Sequence, residues 1–178
     1  MAAGHQVLLG SKHDMAIMRA IRGEEGKERA ALLEEAITLC DLSLDLSRKL
    51  KTKRFESLSE TNLGMCYRDK CEWDKALRHF NIGVAINEAL NDNYGLTISR
   101  AEIAIMDLKR GLLDEAEKGL TKALAAFLSL DCLGDARRLV PHLQQLADTF
   151  RVRGNENRAQ ELTEFVAKYL SKAASTSQ

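Results

Sequence analysis

The sequence of 178 residues is poor in several features that would narrow its structure or function at once. It contains a single proline, and only 5% of its residues are aromatic. Such a composition favours long helices, because helix interiors tolerate proline least, and so few aromatic residues disfavour a β-sandwich. No run of about 18 apolar residues occurs, so the sequence predicts no membrane span.

An excess of charge of one sign is also missing. The 26 lysines and arginines balance the 26 aspartates and glutamates. Without a strong positive field, neither a nucleic acid nor an anionic membrane is an expected partner. The first ten residues lack the basic flank and the long apolar stretch of a secretory signal. We therefore expect a cytoplasmic protein whose cysteines are reduced.

The sequence shows no set of residues that would carry catalysis. Its four cysteines form no C-x-x-C pair, and no paired histidines stand at the spacing of zinc ligands. No nucleophile with an adjacent base and no phosphate-binding loop is recognisable either. We expect no enzyme activity, no catalytic residue, no metal and no cofactor.

An internal repeat of 40 residues is what the sequence does contain. Identical residues coincide when the chain is shifted by that distance, which marks a recurring structural unit. The coinciding residues are Ala36, Ala76 and Ala116, and Leu50, Leu90 and Leu130. Apolar residues within a unit recur at helical spacing, with Leu58, Leu63 and Tyr67 predicted to form one buried stripe. Each unit is therefore predicted to contain two helices.

The repeat divides the chain into expected segments. A last unit is recognisable around Ala159, which lies 43 residues rather than 40 after Ala116, and a short insertion near Pro141 would explain the difference. The expected segments are a flexible N-terminal segment at 1–11, a helical repeat domain at 12–170 with units at about 12–50, 51–90, 91–130 and 131–170, and a disordered tail at 171–178.

One part of the repeat carries a recognisable signature. Leu63 and Gly64 are followed by Tyr67, then by Ala76 and Phe80. Small residues at helix crossings, with larger ones filling the space around them, explain this set physically. The set resembles the signature of the tetratricopeptide repeat (TPR), whose usual period is about 34 residues. The longer period here is similar to that of the kinesin-light-chain and LGN-like subgroup, and Glu60 stands where tryptophan is common in the family.

The resemblance implies an all-α fold, namely a solenoid of antiparallel helix pairs wound into a right-handed superhelix. In TPR proteins the first helix of each pair lines a concave groove, where a polar residue before the Leu-Gly position bonds an extended peptide. The ladder positions here are Asn62, Glu102 and Gln145. The complete set of groove positions that the resemblance implies is Thr61, Asn62, Met65, Arg68, Ala101, Glu102, Ile105, Lys109, Gln144, Gln145, Asp148 and Arg151.

The leading hypothesis is an adaptor or scaffold that binds a peptide or an amphipathic helix of another protein in this groove. A self-assembling module that forms homo-oligomers is the main alternative. A co-chaperone clamp is disfavoured because Thr61, Met65 and Glu102 stand where lysines and asparagines would be needed. An RNA-binding helical repeat is disfavoured by the zero net charge.

Overall fold

The computed structural model describes residues 27–175, and this range holds seven helices and no strand. The helices are α1 (Lys27–Lys49), α2 (Lys53–Asp69), α3 (Trp73–Ala89), α4 (Asn93–Arg110), α5 (Leu113–Ser129), α6 (Leu133–Val152) and α7 (Glu156–Ser175). The all-α prediction is confirmed. The expected flexible segment 1–11, the start of the repeat domain at 12–26 and residues 176–178 lie outside the described residues.

The 40-residue period appears in the structure as the spacing between the first residues of equivalent helices. Helices α2, α4 and α6 begin at Lys53, Asn93 and Leu133, every 40 residues. The insertion expected near Pro141 takes the form of a longer helix: α6 has 20 residues where α2 has 17, and Pro141 lies inside it. Helix α7 continues to Ser175, beyond the end predicted for the repeat domain.

The six turns between consecutive described helices share one hydrogen-bonding pattern. In each turn an amide donates to the carbonyl five residues back, at 2.8–2.9 Å, as Thr52 does to Ser47 and Glu72 to Tyr67. This is the Schellman motif, which needs a residue in the left-handed backbone region just after the helix. The residues that take a positive φ there are Lys51, Cys71, Asn91, Gly111, Asp131 and Gly154. Turns this short place neighbouring helices antiparallel.

The chain divides into two compact units, with the boundary between Ser99 and Arg100. In the first unit the core lies between α1, α2 and α3 and includes Cys40, Leu63 and Phe80, which are fully or almost fully buried. A Cβ atom on Gly64 would lie 2.5 Å from the ring of Phe80. The Leu-Gly pair therefore allows α2 and α3 to approach closely, as the signature predicts.

The second unit repeats this packing with other residues. Helix α6 packs against both α5 and α7, and buried residues such as Leu120, Leu143 and Phe150 fill the space between them. A Cβ atom on Gly119 would lie 2.5 Å from the Cβ of Ala104, so a small residue again marks a helix crossing. Gly119 lies on α5 and Ala104 on α4, so here the glycine belongs to the second helix of the pair.

Candidate functional site

A cavity of about 340 Å³ opens in the first unit between the N-terminal halves of α2 and α4. We call it the α2–α4 cavity. Its lining residues are Arg54, Phe55, Ser57, Leu58, Thr61, Asn62, Asn87, Asp92, Tyr94, Gly95 and Ile98. Most of them come from the two helices that begin the second and third repeat units, and Asn87 comes from α3.

The walls of the α2–α4 cavity are apolar and open to solvent. Phe55 and Leu58 lie one helical turn apart on α2 and are 40% and 45% exposed. Tyr94 and Ile98, one turn apart on α4, complete the lining, and Tyr94 is 37% exposed. Large apolar side chains held partly exposed around one cavity provide the kind of surface that a ligand or a partner protein covers.

The floor of the cavity is a hydrogen-bonded network that joins three helices. The Ser57 hydroxyl donates to Asn87 Oδ1 at 2.7 Å and lies 3.2 Å from the carbonyl of Gly83. Thr61 Oγ1 and Ser99 Oγ are 2.9 Å apart, and Asn87 Nδ2 donates to Ser99 at 3.4 Å. All four side chains are buried. Because these groups bond one another, the floor is already ordered before any ligand arrives.

Glycine makes the close approach of these helices feasible. A Cβ atom on Gly83 would lie 2.7 Å from Thr61 Oγ1, and one on Gly95 would lie 2.8 Å from Asn87 Oδ1. Neither glycine has a positive φ, so both are required for space rather than for backbone conformation. The polar floor and the two glycines are therefore parts of one packing arrangement.

Asn62 is a polar residue of the cavity that takes no part in this hydrogen-bonded network. It is 8% exposed, and its side chain makes no hydrogen bond to any described residue. Every fully buried side-chain nitrogen or oxygen in the described part of the chain does have a partner. The Asn62 carboxamide must therefore reach the surface of the cavity, where it offers one acceptor and two donor hydrogens.

The other predicted groove residues lie in varied surroundings. In the first unit Thr61 belongs to the floor, Met65 is partly buried beside the core, and Arg68 is buried with an ion pair to Asp69 at 3.0 Å. In the second unit Ala101 and Ile105 are core residues. Of the predicted groove set, the cavity brings together Thr61 and Asn62.

The two remaining ladder positions differ from Asn62 in their partners and exposure. Glu102 is buried, and its carboxylate lies 3.7 Å from Arg138 in the second unit. Gln145 is exposed on α6. The further predicted positions in this unit, Lys109, Gln144, Asp148 and Arg151, are also exposed. Asp148 and Arg151 form an ion pair with each other at 2.6 Å.

Sequence reasoning missed the apolar walls of the cavity. Leu58 was predicted to belong to a buried stripe, but 45% of it is exposed, because it lies on the α4 side of α2 and faces the cavity. Asn87 offered a signal, since a polar residue stands there among the apolar residues of α3. Its partners lie 12 and 30 residues away, so the sequence does not reveal the network.

A second polar cluster surrounds Glu60, which occupies the position where the TPR signature often has tryptophan. The carboxylate is 1% exposed, accepts from Arg48 Nη2 at 2.8 Å and lies 2.7 Å from Nδ1 of His79. The His79 ring stacks on Tyr67, with ring centroids 5.3 Å apart. These contacts connect α1, α2 and α3, so we interpret the cluster as structural.

A carboxyl group beside this cluster, that of Asp41, has a shifted pKa. Burial raises the pKa of Asp41 above its usual value, and the opposing attraction of His79 is the smaller effect.

Within residues 27–175, no group of three or more histidine, cysteine or carboxylate side chains is arranged to hold a metal ion. Nor does any helix described there have the length and apolar character that crossing a bilayer requires.

The fold matches solved structures over nearly the whole chain. Two crystal structures of nearly identical TPR-like repeats, from a Podosopora anserina protein assigned as a kinesin light chain, each give a TM-score of 0.54 at 18% identity. One is a single-substitution variant of the other. The matches cover 96% and 95% of this chain and 98% of theirs. This chain has the TPR-like repeat fold.

The TPR-like architecture agrees with the predicted all-α solenoid of helix pairs. At 18% identity the likeness concerns the fold and leaves the ligand to be argued from the chain's own residues. No protein-family model matches the sequence, and no curated protein does. The α2–α4 cavity is accordingly the feature of this TPR-like chain from which a function has to be inferred.

Proposed function

We propose that this TPR-like domain is an adaptor that binds an extended segment of another protein in the α2–α4 cavity. TPR-like repeats commonly mediate interactions between proteins. The observation that carries the proposal is Asn62, a residue only 8% exposed, whose carboxamide makes no hydrogen bond within the described chain and reaches the cavity.

The chemistry of Asn62 suits a peptide backbone. An extended peptide exposes alternating N–H and C=O groups, and a carboxamide accepts from one while it donates to the other. Because the carboxamide reaches the surface of the cavity, a ligand that supplies both bonds replaces the solvent there. Because Asn62 is held in a crowded position on α2, little conformational entropy is lost when it binds.

The walls supply the second component of the interaction. A cavity of about 340 Å³ lies at the lower end of the range for small-ligand sites, and it accommodates an apolar side chain of the bound segment. Phe55, Leu58 and Tyr94 then lose their solvent exposure on binding, which is favourable for apolar surface. The balanced charge of the chain supports a protein rather than a nucleic acid as the partner. We place this binding in the cytoplasm, as part of the proposal.

The test uses peptides selected from a random display library on the full chain. Their affinities are measured by fluorescence anisotropy with the wild type and with the Asn62→Ala variant. We expect Asn62→Ala to weaken binding roughly tenfold, the effect of losing one or two hydrogen bonds. Asn62→Asp keeps the acceptors but loses the donors, so its affinity should fall between the two.

Gln145→Ala is the matched control, since it removes a carboxamide that is exposed on α6. It should bind every selected peptide as the wild type does. Circular dichroism should show the same helicity for all variants. Equal affinity of wild type and Asn62→Ala would refute the cavity as the binding site. If no peptide is selected and the mass in sedimentation rises with concentration, self-assembly replaces the adaptor proposal.

A further inference from the structure

The outer faces of α1 and α3 carry apolar side chains that are open to solvent. Leu42 on α1 is 50% exposed, and Ile82, at the equivalent position of α3, is 36% exposed. One helical turn further along, Leu46 and Ile86 are partly buried. We call Leu42, Leu46, Ile82 and Ile86 the outer patch. It lies on other helices than the walls of the α2–α4 cavity and contributes no residue to that cavity.

The two helices of the outer patch lie side by side against α2. Arg48 on α1 and His79 on α3 reach the same carboxylate, that of Glu60 on α2, at 2.8 and 2.7 Å. Asp41 on α1 is also close enough to His79 for their charges to interact. Because consecutive repeats place equivalent residues next to each other, the apolar residues of α1 and α3 belong to one surface.

The fold does not require apolar residues at these positions. Helix α5 is the equivalent helix of the next repeat, and it has Lys122 at the position of Leu42 and Ile82. One turn further along, α5 has the small residue Ala126. A contiguous group of large apolar side chains that the fold does not need indicates a surface that another molecule covers.

Charged side chains beside the outer patch have opposite signs on the two helices. Asp41 and Asp45 are exposed on α1, one turn apart. Arg78 is exposed on α3, one turn before Ile82. Neither Asp45 nor Arg78 forms an ion pair with another residue of the described chain. With an acidic α1 beside a basic α3, this surface is complementary in charge to a second copy of itself.

We propose that two copies of this chain associate through their outer patches, with α1 of each copy lying against α3 of the other. A two-fold axis parallel to the helices produces this arrangement and forms every contact twice. Leu42 of one copy then meets Ile82 of the other, and Asp45 meets Arg78. Pairing α1 with α1 would instead bring the acidic residues of both copies together, which is unfavourable. The association goes beyond the proposed function and does not depend on it.

The first measurement is the mass of the full chain by sedimentation equilibrium as its concentration is raised. A stable interface buries roughly 800 Å² on each partner, and the outer patch is only the apolar centre of such a surface. We therefore expect a dissociation constant in the micromolar range. The mass should rise from that of one chain to that of two and no further, because a two-fold interface is closed.

The decisive variant is Ile82→Lys, which gives α3 the lysine that α5 has at the equivalent position. The helix should tolerate this change, but a charge at the centre of the apolar contact should weaken dimerisation about a hundredfold. Val152→Lys is the matched control, since it replaces an apolar residue that is 88% exposed at the end of α6. It should leave the dissociation constant unchanged, and circular dichroism should show the same helicity for all variants.

Charge reversal tests the pairing of α1 with α3. Asp45→Arg and Arg78→Asp should each weaken the dimer about tenfold, because the symmetry doubles the effect of one reversed ion pair. The double variant Asp45→Arg, Arg78→Asp should restore the wild-type dissociation constant. A purely structural role of either residue would give no such rescue.

A wild type that stays monomeric at every concentration would overturn this inference, and so would equal dissociation constants for the wild type and Ile82→Lys. An equal effect of Val152→Lys, or a mass that rises beyond two copies, would show that association uses another surface. Failure of the double variant to restore the dimer would overturn the pairing of α1 with α3. None of these results bears on the cavity proposal, which Asn62→Ala tests by peptide affinity.

Discussion

The substitution Cys71→Gly should stabilise the protein, because the backbone at this position is unfavourable for cysteine and suits glycine. Cys71 follows α2 with φ at 61°, in the left-handed region. Its amide donates to the carbonyl of Arg68 at 2.9 Å within the Schellman turn. The thiol is exposed, so little packing is lost when the side chain is removed.

The expected gain follows from two opposing effects. A residue with a Cβ atom loses roughly 1–2 kcal/mol in the left-handed region. Glycine avoids this cost, but it loses about 0.5–1 kcal/mol more conformational entropy when the chain folds. The net stabilisation of Cys71→Gly should therefore be about 0.5–1 kcal/mol, which corresponds to roughly 2 °C in Tm for a chain of this size.

Urea unfolding followed by circular dichroism measures this change, and two controls separate the backbone effect from others. Cys71→Ala removes the thiol but keeps the Cβ atom, so it should leave the free energy of unfolding unchanged. Gly111→Ala is the reverse experiment in the second unit. A Cβ atom on Gly111, where φ is 78°, would meet only Arg153 Nη2 at 3.9 Å, so its expected loss of about 1 kcal/mol is conformational. Equal stability of Cys71→Gly and Cys71→Ala would refute the reasoning.

Three further predictions concern packing and charge in the first unit. Gly64→Ala should lower the free energy of unfolding in urea by about 1–2 kcal/mol, because its Cβ atom would lie 2.5 Å from the buried ring of Phe80. An unchanged free energy of unfolding would mean that the ring moves freely. His79→Phe should cost about 1–3 kcal/mol, because the buried Glu60 carboxylate loses a partner at 2.7 Å; unchanged stability would contradict this role. The hydrogen bond from Lys53 holds the pKa of Glu56 below its usual value of 4.5. The stabilisation of the fold by the ionised Glu56 is therefore complete above pH 4.5, and it is lost as the pH falls through the folded-state pKa. Lys53→Met should flatten this acid dependence in urea titrations, and an identical pH profile would exclude the pair as its source.

Much of the fold could be predicted because its signals are local. The alanines and leucines at 40-residue spacing identified the period of helix starts, and the Leu63–Gly64 pair identified a close helix crossing, which the contact with Phe80 confirms. Near Pro141, where a short insertion was expected, α6 has 20 residues against the 17 of α2. Terminal helix residues are set by tertiary packing as much as by turn chemistry, so their positions were harder to predict.

The candidate site was predicted less completely, because its residues depend on distant partners. Thr61 and Asn62 were selected from their positions before the Leu-Gly pair, and both line the cavity. The opposite wall, with Tyr94 and Ile98, was not predicted, since its face of α4 becomes a wall only when α2 lies beside it. Local periodicity distinguishes a buried stripe from an exposed one, but it does not distinguish a core from a cavity.

The sequence by itself determined that this chain forms antiparallel helix pairs with a 40-residue period, because helical periodicity, turn residues and small residues at crossings act over short distances. The tertiary structure decided which polar residue of the ladder remains available to a ligand. Asn62 and Glu102 occupy equivalent positions, yet Arg138, 36 residues further along the chain, faces the carboxylate of Glu102, while Asn62 opens into the α2–α4 cavity without a partner in the described chain. Ion pairs between residues so far apart form only when the helices pack, so only the packed structure distinguishes the two positions.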